Sequence, residues 1–361
     1  MDKSRKFVGI VLLQIIVTFG VMNGHFLMDV NPGIINQCRS MPIRYSLLSY
    51  LYMGDFCVQL FFVLGGFLIP LSSPGKELSI KKCVEKWSSL MIPAIILTVI
   101  CFIGFSLTKY FLGELIPERI PTTFVQCIDD ILIYLTGSTH IIPKENDYIP
   151  YYLGQLWFLF FFFKKWLVAW GVHHICKNSG LKAYVLLVSL VCLIDFEYIN
   201  VLVGLLCGEI VLLYGKGNIH PILKYSVLFL CLSFAPILFN TPIYGSVIGQ
   251  IILSALLGIT LIMLSYISDI PYGTDIIMKL GSLTRGIYYV HYPILYVSAF
   301  VYRLKPIVGL IIPNYFVTVI MVIIAALLFR KYVFSNVDRG TKKFLDRFIG
   351  NSLLIYNSKS N

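Results

Sequence analysis

The sequence predicts an all-α, polytopic integral membrane protein of about ten transmembrane helices, with both termini in the cytoplasm. Three observations carry that prediction. The chain is 58% hydrophobic and only 13% charged, with a mean hydropathy of +0.82, far from the balance of a soluble globular domain. Its apolar runs are long and continuous, which suits helices crossing roughly 30 Å of hydrocarbon and not the ten-residue alternation of a membrane barrel. Most of the 29 lysines and arginines fall on one set of alternating loops, the asymmetry that marks the cytoplasmic side. The net charge of +11 therefore reports topology. It implies membrane lipids, and no nucleic acid, as partners.

The first apolar run, Phe7 to Met28, follows Lys3, Arg5 and Lys6, which should hold the N-terminus inside. It is too long for a signal-peptide core and lacks a small-residue cleavage site after Gly24-His25, so it is expected to remain as a span. After an outer loop with Asn31-Pro32-Gly33, the second span runs from about Tyr45 to Leu71. It contains Gly65-Gly66, a pair that lets another backbone approach closely. A cytoplasmic loop with Lys76, Lys81, Lys82 and Lys86 leads to a third span at about Trp87 to Leu112. Pro93 falls in the first turns of that span, where proline is tolerated.

The acidic loop at about 113–150 is too long for a bare connection and predicts an amphipathic piece around Val125 to Leu135. A fourth span begins near Tyr151, and its depth leaves Lys164-Lys165 unplaced. Further spans are expected at about 181–195, 198–214, 222–240, 244–268, 282–302 and 307–329. Arg330, Lys331, Arg339, Lys342, Lys343 and Arg347 then place the C-terminus inside. Residues 1–335 read as one transmembrane domain and 336–361 as a basic cytoplasmic tail. No internal repeat and no separate soluble domain is visible.

The motifs exclude several chemistries. Nine cysteines make no CxxC pair and no Cys/His metal spacing, so no metal is expected. Cys57, Cys101, Cys192, Cys207 and Cys231 lie in or beside apolar runs as small packing residues. Cys38 and Cys127 both fall on the outer side, where a disulfide could form. There is no phosphate-cradling glycine loop, no GxSxG elbow and no dinucleotide fingerprint.

What remains is ionisable side chains at membrane depth, functional candidates by default. His25 lies three quarters of the way across the first span, near the outer face. Asp29 follows four residues later on the same helical face. The alternative is that His25 simply meets headgroups or water. His291, in Arg285-Gly286-Ile287-Tyr288-Tyr289-Val290-His291-Tyr292-Pro293, reads alone as a structural histidine hydrogen-bonded between helices. Glu209 either lines a polar cavity or sits at the edge of a short span. His140, His173, His174 and His220 fall in loops or at span ends and are expected to be solvated. A histidine near the outer face with cations on the inner one suits transacylation from an anionic cytoplasmic donor to an outer acceptor. It suits transport equally.

Several stretches together resemble the membrane acyltransferases of family three, which include O-acetyltransferases of bacterial surface sugars. The best match is Leu60-Phe61-Phe62-Val63-Leu64-Gly65-Gly66-Phe67-Leu68-Ile69, similar to the family's FFVLSGFLI-like run. Leu156-Trp157-Phe158-Leu159 and Gly286 to Pro293 resemble two further blocks in the same order, and the ten-span layout is similar too. In that family the first span carries an arginine, ten residues and a histidine taken as catalytic base. His25 matches the histidine, and Gln14 occupies the arginine position. The family's two arginines ahead of the third-span proline are matched by Lys86 and by Ser89 or Leu90. Both departures bear on donor binding, because arginine forks grip phosphates and carboxylates best.

The resemblance implies a bacterial cytoplasmic-membrane enzyme with acetyl-CoA as donor. It would transfer an acetyl group to a hydroxyl of a surface polysaccharide or its lipid-linked precursor. His25 would be the general base, and spacing adds Asp29 as the group orienting its ring. Lys81, Lys82 and Lys86 would attract the CoA phosphates, with Gln14 at the donor-side position. Gly65 and Gly66 would allow close packing beside the donor path. Trp157, Glu209, Tyr288 and His291 are expected to line the cavity. Two alternatives stand beside this reading: a non-catalytic polysaccharide exporter or accessory protein of the same family, and an ion-coupled transporter using Glu209 and His291.

Overall fold

The computed structural model describes residues 7–30, 42–72, 79–112, 122–136, 152–153, 156–214, 219–267, 273–304 and 311–358. Among the described residues the secondary structure is helical, with no strand. The helices are α1 (Val8–Val30), α2 (Gly54–Ser72), α3 (Ile80–Leu112), α4 (Phe124–Thr136), α5 (Trp157–Cys176), α6 (Gly180–Ile194) and α7 (Ile199–Tyr214). They continue as α8 (Pro221–Phe239), α9 (Val247–Ser265), α10 (Thr274–Gly281), α11 (Thr284–Leu304), α12 (Ile311–Phe329) and α13 (Ser335–Ser358). Each apolar run of the sequence carries a helix, and seven helices among the described residues are long and apolar enough to cross a membrane. The amphipathic piece expected near 125–135 is α4.

Two boundaries differ from the sequence reading. The run expected to begin the second span at Tyr45 instead holds two 3-10 turns, Pro42–Tyr45 and Leu47–Leu51. Ser46 caps the second of these through the amide of Leu48, and Gly54 opens the true helix. At the third span the helix starts at Ile80, so Lys81, Lys82 and Lys86 stand on α3 and not in a loop. Pro93 is consequently well inside α3.

The chain forms two compact units, Met1–Glu77 with Lys164–Tyr288, and Leu78–Phe163 with Tyr289–Asn361. In the first unit the closest packing is between α2 and α7. A Cβ added at Gly66 would lie 1.8 Å from the Val201 carbonyl oxygen, and one at Gly204 would lie 2.0 Å from that of Val63. Gly208 meets the Phe67 carbonyl in the same way. Contact therefore runs backbone to backbone, which small residues alone permit. The order of these contacts makes α2 and α7 parallel. Gly258 of α9 faces Cys207 of α7, while Ser254 donates to Asn200, whose amide donates to Gln59 of α2. The pairing of Ser254 with Asn200 and Gly258 with Cys207 makes α9 parallel as well. By contrast α1 runs opposite to α2, with Gly20 against Cys57 and Gly24 against Gly54. These directions agree with the alternation expected for the first, second, sixth and eighth spans.

The second unit is built on α3, α4, α12, α13 and most of α11. Pro93 has no N–H and crowds the preceding turn, which frees a carbonyl there. That carbonyl belongs to Ser89, four residues back; Tyr289 of α11 donates its hydroxyl to the next one, Leu90 O, at 2.5 Å. Tyr289 also meets Phe329 at a tilt and Phe334 edge-on, the residues that precede and end a π-helical turn at Arg330–Phe334 joining α12 to α13. Ser298 of α11 bonds Thr318 of α12 at 2.7 Å. In α4, Asp130 is fully buried and accepts from the Tyr152 amide at 2.8 Å. Cys127 is a free, buried thiol, and Cys38 lies outside the described residues.

Candidate active site

His25 is half-buried, five residues before the end of α1. Its position is set by a seat that sequence reading passed over, the GxxxG pair Gly20 and Gly24. A Cβ at Gly20 would meet the Tyr50 carbonyl at 2.2 Å, and one at Gly24 would meet that of Tyr52 at 2.9 Å. Between them Asn23 donates its amide to Leu51 O at 2.7 Å. The last turns of α1 are thus held against the 3-10 segment and the start of α2. This fixes the backbone from which the imidazole projects. The polar group Gln59, Asn200 and Ser254 lies toward the same end of this unit, as the helix directions require. An open groove of about 350 Å³ lined by Tyr45, Ser46, Leu47, Leu48, Ser233 and Ile237 is in the same unit.

Asp29 continues α1, but its side chain lies outside the described residues. Gln14 is half-buried eleven residues before His25, roughly 16 Å along the helix, and its carbonyl accepts from Thr18 at 2.7 Å. Gly281 of α10 packs on Val11 and Ile15, on either side of Gln14. Gly66 faces α7 as described, and Gly65 is half-buried. Tyr288 is buried and meets Phe61 edge-on with centroids 6.0 Å apart.

The remaining expected site residues belong to the second unit. Lys81 pairs with Asp346 of α13 at 2.6 Å, an exposed ion pair of the kind that adds little stability. Lys82 is half-buried, and the Lys86 ammonium sits 5.3 Å from the Phe162 ring centroid. His291 is fully buried. Trp157 starts α5, and its side chain is outside the described residues. The coordinates therefore group His25, Gln14, Gly65, Gly66, Glu209 and Tyr288 in one unit, and Lys81, Lys82, Lys86, Trp157 and His291 in the other.

Glu209 is buried, and its partner corrects an expectation. His173, expected to be solvated at a span end, is only 1% exposed. Its Nδ1 lies 2.7 Å from Glu209 Oε1, and Tyr184 places its hydroxyl 2.8 Å from both. The helices α5, α6 and α7 each supply one member. His220 is exposed, as expected; His140 is outside the described residues. Lys164 lies over Tyr198 and Lys165 over Phe62, so the two reach from α5 to the turn before α7 and to the middle of α2.

Helical spans in this number, with a histidine held at one end of the first and polar groups buried inside, define a polytopic membrane protein with an intramembrane site. The family model for an acyltransferase domain, that of acyltransferase family three, matches residues 7–330. The chain belongs to that family and is a membrane acyltransferase in the general sense. No curated protein and no solved structure matches it.

Proposed function

We propose that this protein transfers an acyl group, acetyl in the simplest case, from cytoplasmic acyl-CoA to a hydroxyl of a surface polysaccharide or its lipid-linked precursor. On this reading it works in a bacterial cytoplasmic membrane. The observation that carries the reading is His25, seated by Gly20 and Gly24 at the end of α1 that the charge pattern turns outward. His25 takes the proton of the acceptor hydroxyl as its oxygen attacks the thioester carbonyl. CoA leaves as a thiolate and takes up a proton, and the imidazolium returns its own to solvent. An imidazole suits this task because its protonation state changes near operating pH. Asp29, one turn on, is the group proposed to orient it. Lys81, Lys82 and Lys86 supply positive charge for the donor's phosphates on the side that the charge pattern assigns to the cytoplasm.

One observation favours a second reading. Gln14 and Lys86 stand where the family has arginines, and a lysine offers a point charge where arginine offers a fork. A non-catalytic exporter or accessory protein would tolerate that change. Proton NMR of the host's surface polysaccharide separates the two. Three strains are compared: the deletion, the deletion with wild type restored, and the deletion with His25→Ala at matched expression. O-acetyl content that returns only with wild type supports the transferase. Unchanged acetyl per sugar with altered polymer amount supports the exporter.

A further inference from the structure

The cluster of His173, Glu209 and Tyr184 has no part in the acyl-transfer reading, and its geometry asks for one. The three side chains are 1%, 3% and 1% exposed. Each comes from a different helix, near the end of α5, the start of α6 and the end of α7. Helix directions put all three at the end of the first unit opposite to His25, the end that the charge pattern assigns to the cytoplasm. Glu209 Oε1 takes two contacts, from Tyr184 at 2.8 Å and from His173 Nδ1 at 2.7 Å. The bond to Nδ1 sets the ring's orientation and tautomer, as a carboxylate does in a catalytic triad. The other ring nitrogen, Nε2, is buried without a hydrogen-bond partner. A merely structural pin has no use for such an atom, because an unsatisfied buried nitrogen costs about 1–3 kcal/mol.

We propose that His173, Glu209 and Tyr184 form a proton-binding site inside the membrane-spanning unit, with His173 Nε2 as the position that gains or loses the proton. The imidazole and carboxylate together hold one proton in a neutral pair, as imidazolium with carboxylate or as imidazole with carboxylic acid. A second proton makes the group positive within an apolar interior. Tyr184 donates to the carboxylate in either state. Among the described residues the neighbouring titratable groups are few. On α5 they are Cys176, whose thiol feels the Glu209 carboxylate, with His174 half-buried and Lys177 beyond it. Beside Tyr184, α6 brings the exposed Lys182, and α7 brings the buried Cys207. The residues of α2 facing this end of α7, Phe67 and Pro70, carry no charge. The first proton therefore neutralises an anionic pair, the second leaves a positive charge with no other counter-ion near it among the described residues, and the packing of these three helix ends becomes dependent on pH. This inference does not rest on the acyl-transfer reading.

The chain carries its own reporter. Trp170 meets the His173 ring edge-on with centroids 6.2 Å apart, and an imidazolium quenches a neighbouring indole. The test uses the full chain in detergent, with Trp87, Trp157 and Trp166 replaced by Phe, and follows Trp170 emission and the carboxylic-acid infrared band as pH is lowered. The expected result is a reversible loss of emission. It disappears in His173→Asn, which keeps an N–H near the Nδ1 position but has no second nitrogen. In Glu209→Gln it moves to lower pH, because the imidazolium loses its counter-ion. Thermal unfolding of each variant shows that it is folded. Emission and carboxyl bands flat with pH in the wild-type background would overturn the proposal. So would a titration unchanged in folded His173→Asn. If that variant does not fold, the position of the Glu209→Gln titration decides, and an unmoved one overturns it.

Discussion

Gly66→Ala tests the backbone-to-backbone seam between α2 and α7. The added methyl carbon would lie 1.8 Å from Val201 O, 2.8 Å from Val201 C and 2.9 Å from Leu205 N, all of them backbone atoms. No rotamer change can relieve such a contact. Ordinary van der Waals contact starts at 3.4 Å, so the helices must part by 1.6 Å at this point. A gap of that size forfeits much of the dispersion energy on both sides and stretches the Asn200–Gln59 hydrogen bond between the same helices. Overpacking of this kind costs about 1–3 kcal/mol, and the lost hydrogen bond about 1 more. Alanine returns up to about 1 kcal/mol through its better helix propensity. The net expectation is a destabilisation of about 1–3 kcal/mol, read as a lower midpoint of thermal unfolding in detergent. Gly104→Ala is the matched control, since Gly104 lies in α3 with nothing within 4 Å. It should hold or raise the midpoint. A Gly66→Ala protein as stable as that control would refute the reasoning.

Other expectations are narrower. His25→Gln should abolish acyl transfer while leaving the amount of folded protein in the membrane unchanged, as judged by size-exclusion chromatography and product analysis. Gly20→Ala, which sets a methyl 2.2 Å from Tyr50 O, should displace α1 by about 1 Å, and misplacement on that scale costs up to about 100-fold in rate; a full rate would show that His25 is not held through this seat. Tyr289→Phe removes the hydroxyl that bonds Leu90 O, three residues before Pro93, and should cost about 1 kcal/mol, read as a lower midpoint of thermal unfolding. Asp346→Ala breaks the exposed pair with Lys81 and should change the unfolding midpoint little.

Helices were legible because hydropathy and helix formation coincide over most of this chain. They part at two places. Hydropathy marks the residues that suit hydrocarbon and so starts the third span at Trp87, although Ile80 to Lys86 are helical too. That error misplaced Pro93 by two turns. At Tyr45 to Met53 the residues are apolar enough for a span but turn as 3-10, because Ser46 and the seat of α1 fix them there. The glycine seams had a local signal, Gly20-x-x-x-Gly24 and Gly204-x-x-x-Gly208, that motif reading could have taken. No local signal joins His173 to Glu209, 36 residues away, or to Tyr184. That cluster exists only once three helix ends have met.

The seam between α2 and α7 also constrains how this protein can change. Gly66 and Gly204 meet main-chain atoms, and Gly208 meets the Phe67 carbonyl as well as the Pro70 ring, so a larger residue at any one of them finds a backbone atom in its way that no trimming of a side chain removes. The usual evolutionary exchange, one side chain growing as its partner shrinks, is closed at these three positions. Drift there requires both helices to move together, and that route passes through a less stable protein at its first step.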